Sequence, residues 1–141
     1  MKIENQVVNL GLARQLKKLG VKQESLWYWN RYITAKAYLS QSKQYEDKFF
    51  SDGTYIQYSV SAFTVAELGE VLPDSINIDS KKYYLFLTKT KKTKYFKLPD
   101  YYISYKSPND KFLHSEREDK EADARAKMVI YLLKNNLLSI L

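Results

Sequence analysis

The chain has 141 residues, 45% of them hydrophobic, 15% aromatic and 28% charged, a balance that supplies a core and excludes a disordered polymer. Its length and its scarcity of linker residues (four Gly, three Pro) fit one domain, 1–141. The formal net charge is +7, and the absence of cysteine excludes a disulfide framework and thiolate chemistry, in keeping with a reducing cytoplasm.

The opening, MKIENQVVNLGLARQLKK, carries no continuous apolar run of the signal-peptide kind, and no stretch of the chain reaches the ~18 apolar residues of a membrane span. A first helix is expected over Leu10–Leu19. Asn9 suits its N-cap, Gly20 suits the residue past its end, and Leu12, Leu16 and Leu19 share one face. Leu26–Tyr32 alternates Trp27, Trp29 and Arg31 against Leu26, Tyr28 and Asn30, as a strand does. Ile33–Leu39 fits strand or helix equally, and the polar Ser40–Thr54 reads as a long loop. Tyr55–Val60 alternates again. Thr64 with Glu67 three residues on is a capping box, Phe63 can staple onto Leu68, and Pro73 ends this second, short helix at Leu72.

Strands follow at Tyr83–Thr88, Lys94–Leu98 and Tyr101–Tyr105. A third helix is expected over Asp119–Asn135, its start crowded by Glu116, Glu118, Asp119 and Glu121 and its end closed by Lys134, both favourable to the helix dipole. At 100° per residue Ala122, Ala126, Val129, Ile130, Leu133 and Leu137 form its inner stripe, widened by Leu132 and at the margin by Met128, while Lys120, Asp123, Lys127 and Lys134 lie opposite. Strands and helices do not alternate as βαβ units. The expected class is therefore α+β: an antiparallel sheet of about four or five strands, with the N-terminal, middle and C-terminal helices mainly on one face.

The most informative segment is Lys81–Leu98, KKYYLFLTKTKKTKYFKL, with seven lysines, five aromatics and no acid. Outside it basic and acidic residues balance, so the whole excess charge sits in one local element, expected to be a hairpin turning near Thr90–Thr93. Two readings compete. In one, Lys89, Lys91, Lys92 and Lys94 contact nucleic-acid phosphates or an acidic partner, and exposed Tyr84 or Phe86 stack on bases. In the other, the lysines solubilise the hairpin and protect an exposed strand edge, splaying from its tip. A third possibility is an aromatic groove built from Trp27, Tyr28 and Trp29 with Tyr101 and Tyr102, weighed against core packing of the tryptophans.

No enzyme signature emerges. His114 is the sole histidine and reads as a solvated loop residue, and the glycines form no nucleotide-binding motif. The acids (Glu67 with Glu70, and the cluster at Glu118–Asp123) are accounted for by capping and dipole complementation, with a carboxylate site as a minor alternative. Neither cofactor nor metal is expected.

Three blocks, Leu10–Trp29, Ala62–Pro73 (AFTVAELGEVLP) and Glu121–Leu138 (EADARAKMVIYLLKNNLL), resemble a family of small uncharacterised proteins of phages and prophages of gut bacteria. The resemblance covers roughly a third of the chain and implies a phage origin, acting in the cytoplasm of the bacterial host. It assigns no catalytic residue, and the lysine-rich segment lies outside it. The leading expectation is a non-enzymatic accessory protein that binds another protein, with nucleic-acid binding through Lys81–Lys97 as the alternative.

Overall fold

The computed structural model describes residues 1–90 and 100–139. Three helices, α1 (Leu10–Lys18), α2 (Val65–Val71) and α3 (Glu121–Lys134), accompany eight strands among these residues. The strands are β1 (Tyr28–Tyr32), β2 (Tyr38–Ser40), β3 (Lys48–Phe49), β4 (Tyr55–Ser61), β5 (Ser75–Ile78), β6 (Lys81–Lys89), β7 (Tyr101–Lys106) and β8 (Phe112–Glu118). They form two four-stranded antiparallel sheets, ordered β2-β1-β4-β3 and β5-β6-β7-β8. The α+β class and the antiparallel pairing are those expected. The strands divide between two sheets, β1–β4 pairing among themselves before α2 and β5–β8 after it.

The helix ends obey local rules. The Asn9 side chain accepts the Leu12 amide at 2.8 Å, and α1 closes with Gly20 at φ 88°, the Val21 amide reaching back to the Leu16 carbonyl. In α2 both halves of the capping box are made: Thr64 Oγ1 accepts the Glu67 amide, and Glu67 accepts the Thr64 amide at 2.8 Å. Glu67 also accepts the Ser25 hydroxyl and the Leu26 amide, each at 3.0 Å, so the same carboxylate ties the linker before β1 to this helix.

The third helix begins two residues later than its acids imply, since Glu116 and Glu118 belong to β8. It packs on α1, α2, β7 and β8. Ala122, Ala126, Val129 and Ile130 are buried as expected, together with Leu132 and Met128 at the margin of the stripe; Ala124 is buried as well, whereas Leu133 is only half-buried. Asp123 departs from the expected exposed face. It is buried, and its carboxylate accepts the Asn9 amide at 2.8 Å and the Asn9 side-chain amide at 3.3 Å. The reason is α1, whose N-terminus docks on this side of α3. Lys120 extends the clasp by donating to the Glu4 and Val7 carbonyls at 2.9 and 3.0 Å.

The polar stretch 41–47 is held by side chains of the first sheet. Asn30, fully buried on β1, donates to Ser40 Oγ at 2.8 Å and accepts from Ser59 Oγ at 2.6 Å and the Gln44 amide at 3.2 Å. Ser59 in turn accepts the Tyr45 amide at 2.9 Å.

The described residues refine the picture of the lysine-rich segment. β6 pairs with Tyr101–Lys106, with Tyr84 opposite Lys106 and Lys89 opposite Tyr101; the expected turn at Thr90–Thr93 and strand at Lys94–Leu98 fall, from residue 91 on, outside the described residues. Only the first half of β6 is enclosed: Lys81–Tyr84 lies between β5 and β7, whereas Phe86–Lys89 pairs with β7 alone among the described residues.

Leu132 is fully buried on α3 and Leu133 is not. Leu132→Ala is therefore expected to cost about 2–5 kcal/mol in chemical denaturation and Leu133→Ala distinctly less, the reverse of the order given by helical periodicity. A second prediction concerns Tyr105, whose ring is buried and whose hydroxyl donates to the Pro73 carbonyl at 2.5 Å. Burial, with the nearby Asp74 charge, pushes the phenol well above its ordinary value of 10.0. The folded state thus keeps a proton that the unfolded chain releases. This contribution is complete below pH ~10 and fades as pH climbs towards the raised value. Tyr105→Phe is expected to lower stability at neutral pH yet to show a shallower loss than the parent above pH ~10, read by melting curves across that range.

Candidate functional site

Strand alternation gives the second sheet an inner face and an outer one. The inner face packs Tyr83, Leu85, Tyr101, Ile103 and Tyr105 towards the core. On the outer face, the register sets Tyr84, Lys106 and Phe112 in one row across β6, β7 and β8, then Phe86, Ser104 and Ser115, then Thr88, Tyr102 and Arg117. Ser75 and Asn77 of β5 lie beside Tyr84 and Lys82.

Four of these rings stand open, with exposures of 40% for Tyr84, 44% for Phe86, 39% for Tyr102 and 59% for Phe112. Cations lie against them. The Lys82 ammonium is 5.4 Å from the Tyr84 ring centroid, and Lys106 is 4.2 Å from that of Phe86 and 6.0 Å from that of Phe112. No Asp or Glu occupies an outward strand position of this face. Acids enter only at its margins. Asp110 lies 3.5 Å from Lys106, and Asp100 is bound by the Arg117 guanidinium, whose hydrogen bond holds the Asp100 carboxyl below the usual carboxylate range.

The expected contact residues distribute as follows. Tyr84 and Phe86 come together on this face as anticipated. Lys89 does not join them, because alternation turns it to the opposite side, where its ammonium lies 5.4 Å from the Tyr101 ring. Lys91, Lys92 and Lys94 lie outside the described residues. Trp27 and Trp29 belong to the first sheet's end of the molecule. Trp29 packs against the core and donates its indole N–H to the Val8 carbonyl at 2.8 Å, while Trp27 is partly buried just before β1. The tryptophans and Tyr101–Tyr102 therefore do not form one groove. Tyr101 faces the core and Tyr102 the open face.

His114 is a correction as well. It lies on β8, not in a loop, with its ring stacked on Tyr131 of α3 at 3.6 Å between centroids and bonded to Glu116 Oε1 at 2.8 Å. Other candidate acids are similarly engaged: Glu67 in the capping box, Glu121 with Arg125 at 2.9 Å, and Glu118 with Lys127, whose ammonium is pushed above its ordinary range by that contact. Glu70 instead lies on the rim of a groove of about 470 Å³ between α2 and the end of α3, floored by Phe63, Val71, Val129 and Leu133.

Phe112, Lys82 and Lys106 are the members of the open face that sequence patterning does not single out. The signal for Lys106 was one residue away, since extending the Tyr101–Tyr105 alternation by one step puts it beside Tyr102. Phe112 carries no such signal, because β8 is polar and its pairing slips between Tyr105 and Lys106.

Comparison with protein-family models, with curated proteins and with solved structures found no match.

Because Trp29 is a packing residue, Trp29→Phe leaves the buried Val8 carbonyl without its donor. The expected cost is about 1–3 kcal/mol in denaturant melts, with no change in binding to any partner of the outer sheet face.

Proposed function

We propose that this protein is a non-enzymatic binding module whose working surface is the outer face of the β5-β6-β7-β8 sheet and whose partner is nucleic acid. One observation carries the reading: four open aromatic rings interleaved with Lys82 and Lys106 on a face with no outward carboxylate. The cations supply attraction to phosphate through counterion release, and the rings supply contact area that pure charge would not need. The charge supports it too, since Lys82, one of the seven lysines of Lys81–Leu98 that equal the net +7, lies on this face.

A non-enzymatic role is supported by the engagement of the groups suited to acid–base chemistry. The His114 ring is stacked and bonded, and Glu67 is consumed in a cap. The likeness of three blocks to phage and prophage proteins supports an accessory protein working in the cytoplasm of a bacterial host. Among the described residues no helix is long and apolar enough to cross a membrane.

A protein partner is the second reading, and a separate feature favours it: the apolar groove between α2 and α3, rimmed by Lys22, Glu24 and Glu70. The two readings make opposite demands on salt. Nucleic-acid binding is expected to fall steeply as salt rises, and Lys82→Gln with Lys106→Gln is expected to weaken it and flatten the log–log salt slope by about 0.7–0.9 per lost contact. Retention on a DNA column and titration by fluorescence anisotropy measure both. Absence of binding to any oligonucleotide at low salt would sink the nucleic-acid reading and leave the groove as the surface to probe.

A further inference from the structure

We infer that the nucleic acid taken by this face is single-stranded, its bases stacked on Tyr84, Phe86, Tyr102 and Phe112 and its phosphates held by Lys82 and Lys106. The inference rests on the nucleic-acid reading above and adds the form of the strand and the way it is held.

Spacing is the first argument. Tyr84 and Phe86 are two residues apart on one strand, roughly 6.8 Å. Phe86 and Tyr102 are diagonal neighbours on adjacent strands, roughly 7–8 Å apart. Three rings thus follow one another at nearly equal steps across β6 and β7. Those steps are about twice the ~3.4 Å advance per nucleotide along one strand of a duplex. A duplex keeps its bases stacked on each other and offers none to the protein, whereas a single strand can open its backbone and lay successive bases on successive rings. Phe112 then adds a platform beyond Lys106, on β8.

The cations are the second argument. The Lys82 and Lys106 ammoniums lie over the Tyr84 and Phe86 rings, so a base that takes an ammonium's place on either ring leaves that cation beside the base's own phosphate. Both are lysines, point charges without the planar fork that reads guanine edges. The one arginine on the face, Arg117, has its fork committed to Asp100. Recognition of bases by stacking, tolerant of sequence, is what such a set can do.

The shape is the third. The open face is pleated sheet, with no described helix standing on it to enter a groove of the duplex. Charge complementarity and open rings together specify a flexible polyanion that carries flat aromatic groups.

The test uses the full chain with labelled 15-residue oligothymidylate, oligouridylate, a duplex of equal length, and heparin, at matched salt. Both single strands are expected to bind more tightly than the duplex, DNA and RNA being distinguished by the two homopolymers. Phe86→Leu and Tyr102→Leu keep apolar cover but lose the stacking plane. Each is expected to weaken single-strand binding by about 5- to 100-fold while leaving the salt slope unchanged. Phe86→Tyr is expected to bind as the parent does, which guards against a variant that merely misfolds. Duplex bound as well as single strand, or leucine variants that bind normally, would overturn the stacking assignment while the nucleic-acid reading survives. Heparin bound equally to the oligonucleotides and unaffected by the leucine variants would point to an acidic protein surface and overturn it too. No binding to any polyanion removes both readings at once.

Discussion

The fold turns on a carboxylate almost wholly withdrawn from water. Asp123 is buried at the first turn of α3, and its oxygens are answered by the Asn9 main-chain amide, the Asn9 side chain and, at 3.6 Å, the Lys120 ammonium. A buried charge is tolerated only when it is paired and hydrogen-bonded, so α1 can dock on α3 in very few ways. Asn9 is at the same time the N-cap of α1, its own side-chain oxygen accepting the Leu12 amide. One residue therefore starts a helix and fixes where that helix lies. Such a clasp adds little net stability over an apolar contact, but removing one partner would strand the other, at a typical cost of about 3–5 kcal/mol. Its effect is to choose an arrangement.

The same economy recurs elsewhere with polar side chains acting as locators. Glu67 completes a local cap and reaches 41 and 42 residues back along the chain to the linker before β1. Asn30 and Ser59, both buried in the first sheet, accept hydrogen bonds from the backbone amides of Gln44 and Tyr45, and so shape a segment with almost no apolar content of its own. In each case the apolar core sets how much the chain buries, and a satisfied polar group sets which piece goes where.

How much of this could be read beforehand depended on whether the signal was local. Caps are local, and Asn9, Thr64–Glu67 and Gly20 locate helix ends to within a residue. Strands Tyr28–Tyr32, Tyr55–Ser61 and Tyr101–Lys106 alternate visibly and were legible. The strand β5 was not, because its turn into β6 uses Asp79 and Ser80, both with positive φ, where a glycine would have advertised the hairpin. β8 hid behind its polarity: FLHSERE sends His114 and Glu116 against α3, so its inward face carries no hydrophobic pattern. Asp123 looked exposed because helical periodicity knows one face of a helix, and α3 is covered on several. Of the candidate site, Tyr84 and Phe86 could be read from alternation, while the cross-strand neighbours Lys106 and Phe112 depend on a register that no single segment contains. The same alternation removes Lys89 from the set.

The clasp between Asn9 and Asp123 spans nearly the whole chain, and this has a consequence for synthesis. On the ribosome, α1 and both strands of the first hairpin leave the exit tunnel long before α3 exists. Until α3 follows, the parts of α1, α2 and the second sheet that pack on it stay open, although α1 can already meet β4. Long-range closure of this kind comes late and slowly, since the intervening chain must be ordered before the contact rewards it. The nascent chain must therefore pass through a stage in which apolar faces and unpaired strand edges are open together, the condition in which a partner, a chaperone or another nascent copy competes for them.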